Sequence, residues 1–262
     1  MKNIIRNIAV LLIPFLLSGC IKENRTECPS ILILDLSKAD TNKMENITIY
    51  ISEEGGNLVK ELKVLKENFS KEIEVTIKKG KYNVYSWGNI GTNSIVNFEE
   101  QSIKSVPGKD ADPLYHESKK VTAYSETTKE RLIPLKKFIN LKIQLKGIDK
   151  NSPYTLFFEG ETEGYHFNGE KIEGKSTIPL KQEDYFTANI TDQIDYKSLK
   201  LLINNDMNNI AIPIGELILK DPPPDFPKKL SDITMIIDFS ESTICIKIDG
   251  WKEILENFCK YF

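Results

Sequence analysis

Glu72-Ile73-Glu74-Val75-Thr76-Ile77-Lys78-Lys79-Gly80-Lys81-Tyr82-Asn83-Val84-Tyr85-Ser86-Trp87 decides the fold class. Ile73, Val75 and Ile77 fall on one side of an extended chain, with Glu72, Glu74, Thr76 and Lys78 on the other. That period of two marks a half-buried strand. Tyr82 to Trp87 follows as a second strand rich in aromatics. Between them Lys79-Gly80 predicts a tight hairpin, with Gly80 taking the positive φ such a turn needs.

The same pattern extends in both directions. Upstream, Ile31 to Leu34 is a short apolar run of a buried strand. Ile47, Ile49 and Ile51 then alternate with Thr48, Tyr50 and Ser52. Glu53 to Asn57 reads as a turn, and Leu58 to Leu65 as a further strand. Downstream, residues 90 to 117 carry polar residues, Pro107 and Gly108, and read as an elaborated loop. Strands are expected at Lys119 to Tyr124, Glu130 to Leu135, Leu141 to Lys146 and Tyr154 to Phe158. A Gly-punctuated loop from Gly160 to Gly174 comes next. The remaining strands fit Ser176 to Leu180, Tyr185 to Ile190, Leu199 to Ile203, Ile210 to Leu219, Ile233 to Phe239 and Ile244 to Ile248. Pro222-Pro223-Pro224 forces a crossing loop, and Trp251 to Phe258 fits a short amphipathic helix. About a dozen short strands separated by Gly and Pro predict an all-β protein of sandwich type, repeated in two halves. The boundary is placed at Phe138, giving domains 30–137 and 138–262.

The first 20 residues are different in kind. Lys2 and Arg6 precede an apolar run from Ile8 to Leu17, too short for a stable membrane span but suited to a secretion signal. Leu17-Ser18-Gly19-Cys20 then has the form of a bacterial lipobox, in which the Cys20 thiolate is the nucleophile for diacylglyceryl transfer. The expectation is cleavage after Gly19 and acylation of Cys20, with residues 20–29 as a polar tether. Removing 19 of 262 residues leaves 243, and removing Lys2 and Arg6 leaves 33 basic against 38 acidic residues, or −5. A mildly acidic surface of mixed charge gives no reason to expect nucleic acid as a partner.

With Cys20 acylated, three cysteines remain in an oxidising compartment: Cys28, Cys245 and Cys259. Cys245 and Cys259 enclose a short loop and are the first choice for a disulfide; three free thiols are the alternative. The chain has two histidines, His116 and His166, neither with a second His at metal spacing, and it has no Cys-x-x-Cys pair. No metal or cofactor is expected. No Gly-x-Ser-x-Gly elbow or phosphate-cradling loop occurs. Carboxylates cluster in Glu159-Gly160-Glu161-Thr162-Glu163 and Glu183-Asp184, where solvated loop charge accounts for them better than a hydrolytic pair. No catalytic residues are expected. Trp87, Tyr165 and Trp251 are the candidates for contact with a ligand or partner; for Tyr85 and Trp87, packing between sheets is the stronger expectation.

The order of these parts resembles the FimB-like fimbrial anchor lipoproteins of type V fimbriae. The resemblance rests on Cys20 followed by Cys28-Pro29, Glu54-Gly55 to Val59, and Gly80-Lys81-Tyr82-Asn83-Val84-Tyr85-Ser86-Trp87-Gly88-Asn89. It continues through Pro134-Leu135 to Gly147 and closes with Ile248-Asp249-Gly250-Trp251. It implies two tandem transthyretin-like β-sandwich domains, no enzyme activity, and a place at one end of a fimbrium on the outer membrane. It also implies fimbrial subunits as partners through sandwich edge strands, and the membrane as a partner through the N-terminal lipid. Related polymerising pilins lose an N-terminal strand after cleavage at an arginine; here only Arg25 and Arg131 follow the signal. A carbohydrate-binding surface lipoprotein is the competing expectation, and it would need exposed aromatic platforms.

Overall fold

The computed structural model describes residues 28–147, 154–182, 185–204, 209–220, 222, 230–240, 243–248 and 253–257. The signal segment, Cys20, most of the tether, Glu183-Asp184, Trp251 and Cys259 lie outside the described residues.

The chain is all-β, and its strands form two stacked pairs of sheets. In the first pair, β1 (Pro29–Asp35) lies between β4 (Glu72–Lys78) and β9 (Thr127–Arg131). Against this packs a five-stranded sheet, ordered β10 (Leu135–Lys136), β8 (Tyr115–Ala123), β5 (Gly80–Gly88), β2 (Asn46–Glu53) and β3 (Leu58–Leu65). Leu32, Leu34, Ile47, Ile49, Ile51, Val75, Ile77 and Val84 meet between the two sheets, the period-two faces anticipated from the sequence. One expectation fails here. β4 and β5 belong to different sheets, so Lys79-Gly80 is a corner between layers rather than a hairpin, and Gly80 is not among the glycines with positive φ. Apolar alternation reveals that two strands face one core, not whether they pair or stack.

The second pair repeats the plan. β11 (Phe138–Lys146) lies between β15 (Phe186–Thr191), antiparallel, and β18 (Ile233–Asp238), parallel. In the first pair β1 likewise has β4 antiparallel and β9 parallel. The order β8-β5-β2-β3 is matched by β17 (Asn209–Ile212), β16 (Lys200–Asn204), β12 (Thr155–His166) and β13 (Lys171–Pro179). β14 (Lys181–Gln182) adds to β15, while β19 (Thr243–Ile248) and β20 (Glu253–Asn257) extend the sheet beyond β18. The second core gathers Ile139, Leu141, Ile143, Leu156, Phe158, Ile190, Leu201, Ile203 and Met235.

Four further stretches depart from the sequence reading. Residues 90–117 contain a hairpin, β6 (Ser94–Asn97) and β7 (Ser102–Ser105), and β7 pairs with β12 of the second half. The supposed Gly160–Gly174 loop is the far part of β12 and the start of β13, with register shifts at Gly160/Thr162 and Thr162/Gly164. Within Ile210–Leu219 the strand stops at Ile212 and a short helix, α1 (Ile214–Lys220), follows. Pro213 interrupts the ladder, its carbonyl accepts from the Glu216 and Leu217 amides, and Ile214, Leu217 and Ile218 bury at helical spacing. The expected helix at Trp251–Phe258 is in its described part strand β20. Pairing with β19 satisfies the backbone groups of these residues.

Glycine makes the crossing of β7 onto β12 feasible. A Cβ on Gly164 would lie 2.3 Å from the Ile103 carbonyl oxygen and 2.7 Å from the Lys104 Cα, both backbone atoms that cannot swing aside. Gly164→Ala is therefore expected to destabilise the protein by about 2–4 kcal/mol. Gly55→Ala, where a Cβ meets nothing within 4 Å, should be nearly neutral. Urea unfolding of the two variants side by side checks this.

Candidate functional site

Strand β1 is the central element of the three-stranded sheet. It does not sit at an edge. Seven of its residues pair with β4, Pro29 opposite Lys78 through to Asp35 opposite Glu72. Five pair with β9, Ile31 beside Thr127 through to Asp35 beside Arg131. Leu32 and Leu34 are fully buried, while Ile31 is 39% exposed on the other face. Each fully buried leucine stabilises this placement by about 1.5–3 kcal/mol.

Both ends of β1 are fastened. At the entry, the Lys79 amide donates to the Cys28 carbonyl at 3.1 Å and Ser30 Oγ donates to the Ser125 carbonyl at 2.8 Å. At the exit, Arg131 Nε bonds Asp35 Oδ2 at 2.9 Å and the Leu132 amide donates to the Asp35 carbonyl at 2.9 Å. Hydrogen bonds from Ser37, then from Arg131, hold the Asp35 carboxyl well below the usual carboxylate range. Cys28, half-buried beside the entry, carries a free thiol.

The outer face of the five-stranded sheet is covered by the second half. There Tyr50, Tyr85, Trp87, Ile103, Leu114, Tyr165 and Phe167 form a third buried cluster. β2 is consequently buried on both faces, with Tyr50 1% exposed although it points away from the first core. Tyr50 stacks on Phe167 with ring centroids 4.1 Å apart and planes within 3°. Trp87 Nε1 and His116 Nε2 both reach the Phe167 carbonyl at 3.0 Å. A carbonyl oxygen only accepts, and it has two lone pairs, so His116 carries its proton on Nε2. Gly169, at φ +87°, brings the 167–169 turn against the His116 ring, where a Cβ would stand 2.3 Å from Cε1. Tyr165 Oη donates to the Lys137 carbonyl at 2.5 Å and accepts from the Asp192 amide at 2.8 Å. Lys171 and Tyr196 both reach Asp192 Oδ1, at 2.9 and 2.7 Å.

The expected contact residues thus need correction. Trp87 and Tyr165 are each 0% exposed, with centroids 5.4 Å apart. They join the two halves and offer no face to a ligand, because β12 lies over the sheet that carries Trp87. Packing was the stronger expectation for Trp87, and the partner in that packing is the second half. Trp251 lies outside the described residues. Glu159 and Glu163, read as loop charge, stand on β12 in ion pairs with Lys175 and Lys104 at 2.9 Å each. Among the described residues no grouping of three or more His, Cys, Asp or Glu could hold a metal ion. No helix among them is long and apolar enough to cross a membrane. Cys245 of β19 lies opposite Leu255 of β20, so the tail does turn back along that strand, and the pairing with Cys259 lies outside the described residues.

Repeated sandwich topology and a first groove filled from within the chain define a two-part β-sandwich protein. The chain belongs to the family of fimbrillin-A associated anchor proteins Mfa1 and Mfa2, which matches residues 25–257. Membership gives it a fimbrial accessory role in adhesion at the cell surface, with other fimbrial subunits as partners. Among solved structures, the fimbrial anchor protein Mfa2 from Porphyromonas gingivalis superposes with a TM-score of 0.63 at 14% identity, over 86% of this chain and 98% of that one. A Bacteroides thetaiotaomicron protein described as a candidate polysaccharide-binding protein gives 0.67 at 12% identity, over 87% and 98%. A candidate adhesin from Bacteroides ovatus gives 0.65 at 12%, over 90% and 97%. At these identities the likeness is one of fold. No curated protein matches the chain in sequence.

The seam between the halves has a titratable group at its centre. Burial first, then the nearby Lys137 ammonium, pushes the His116 imidazole down from 6.5 to about 4, against the opposing pull of the Phe167 carbonyl. Between those values the unfolded chain binds the proton and the folded chain does not. Stability is therefore complete above pH 6.5 and falls as the pH drops towards 4, by up to roughly 3 kcal/mol from this group. His116→Gln should flatten that part of the profile. Urea midpoints of both proteins at pH 7 and pH 4.5 check it; equal losses in the two would contradict it.

Proposed function

We propose that the protein is a non-enzymatic lipoprotein of the outer membrane, anchored through acyl chains on Cys20, that forms one end of a fimbrium as its anchor, terminator or accessory subunit. The observation that carries this reading is β1, paired on both sides and buried at Leu32 and Leu34. A subunit whose first groove is occupied by its own chain has no vacancy there for a strand from the next subunit, and so ends a fibre rather than extending it. The reading takes residues 30–137 and 138–262 as two transthyretin-like sandwiches, with the β6–β7 hairpin as the first sandwich's contribution to the second. Cys245 and Cys259 form the disulfide of the secreted protein in this account.

The direction of the strands supports an upright display. β1 starts beside the Lys78–Gly80 corner, the 53–57 turn and the 124–126 turn, all at one end of the first sandwich. β11 starts at the opposite end, after β10 pairs with His116 and Tyr115. A lipid eight residues before Cys28 holds the first end near the bilayer and directs the second half outward. Fimbrial subunits would then bind through exposed edge strands, where main-chain groups give affinity and alternate side chains give selectivity.

Cys20→Ala should abolish palmitate labelling of the protein and release fibres from the cells, and immunogold on wild-type cells should mark fibre ends. Label retained by the variant would refute the anchor, and gold spread evenly along the fibres would refute the terminal position.

A further inference from the structure

Strand β3 forms one edge of the five-stranded sheet, and its outer side has no partner strand among the described residues. The phase of its backbone is fixed at one end. The Lys66 amide donates to the Glu45 carbonyl at 3.0 Å, continuing the ladder in which Val64 faces Ile47 and Leu62 faces Ile49. Bonded pairs in an antiparallel ladder recur every second residue. Leu62 and Val64 therefore turn their N–H and C=O groups to β2, and Glu61, Lys63 and Leu65 turn theirs outward. Val59 follows at the bulge between Ile51 and Ser52, where the regular ladder stops. All four side chains are exposed, Val59 at 42% and Leu65 at 46%. Neither Glu61 nor Lys63 has an ion-pair partner among the described residues.

A charged residue in the middle of an edge strand normally discourages pairing. Here the charges select a register. We propose that β3 is a homophilic edge that pairs antiparallel with β3 of a second copy, about a twofold axis at Leu62. In that register Glu61 of each copy faces Lys63 of the other. Those Glu–Lys positions are also the ones with outward backbone groups, so the two pairs exchange four N–H···O=C bonds while their side chains neutralise one another. Sliding the strands to the next bonded register in one direction sets Glu61 against Glu61; sliding in the other sets Lys63 against Lys63. Leu62 meets Leu62 on the opposite face. The contact is isologous, so it closes at two copies and does not propagate. It is independent of the fimbrial role and uses a different strand from β1. An interface of one strand pair is small and forms a weak dimer, weakened further by salt.

Sedimentation equilibrium of the mature chain from Cys20 onward, unlipidated and kept reduced so that Cys28 cannot cross-link, tests this. The wild type should reach a monomer–dimer equilibrium at high concentration. Glu61→Lys and Lys63→Glu should each weaken the dimer about tenfold or more, since either change sets like charges opposite each other twice. An equimolar mixture of the two variants should restore the wild-type affinity, because every lysine then faces a glutamate. Both residues are exposed, so unchanged circular dichroism should accompany the loss. A wild type that stays monomeric would overturn the proposal. So would variants that dimerise like the wild type, a mixture that fails to recover, or cross-links from β3 only to a different fimbrial subunit.

Discussion

The insertion of β1 between β4 and β9 is the constraint on which the rest of the first sandwich depends. Without that strand, β4 and β9 would be separated, and Val75 and Ile77 of β4 would lose Leu32 and Leu34 from the core they share. Two rows of backbone groups would also lose their partners, each costly to leave unmet in a buried setting. The same strand follows directly on the tether. Chain connectivity thus ties the proposed lipid attachment to the closure of the first core. A pull on the tether is resisted by β-ladder bonds along β1 and by the Asp35–Arg131 pair at its far end.

The second constraint is the seam. One carbonyl, that of Phe167, receives both Trp87 and His116, and the ring of the same residue stacks on Tyr50. Together with β7 pairing on β12, this fixes the two sandwiches relative to one another through an interface with the character of a domain core. A rigid two-part body suits the proposed role, in which the subunit transmits tension between a membrane and a fibre. The apolar seam also leaves His116 without hydration, which is why its protonation opposes folding.

Strands with strict alternation were legible in the sequence. Ile47, Ile49 and Ile51, Ile73, Val75 and Ile77, and Leu141 and Ile143 all lie in the faces their spacing assigns them. The layer to which each strand belongs was not legible, as Lys79-Gly80 shows. The seam was missed for a related reason. Ser94–Asn97 and Ser102–Ser105 are four residues each, too short for a periodic signal. Gly160 and Gly164 read as loop punctuation because glycine marks turns far more often than it marks the close approach of another backbone. The full burial of Thr48, Tyr50 and Ser52 was the available clue only in hindsight, since a polar face on a strand ordinarily faces water. The N-terminal strand was readable as a strand at Ile31 to Leu34, but its central position required the parallel partner β9, 96 residues away in the chain, which local pattern cannot supply.

Hydrogen exchange of the β1 amides tests the central claim most directly. Residues Leu32, Ile33 and Leu34 should exchange as slowly as the central strands β2 and β5, because they open only when the sandwich itself opens. Exchange of these amides at the rate of an unstructured tether, with β2 and β5 still protected, would contradict the account, since the groove would then be vacant for a strand from another subunit.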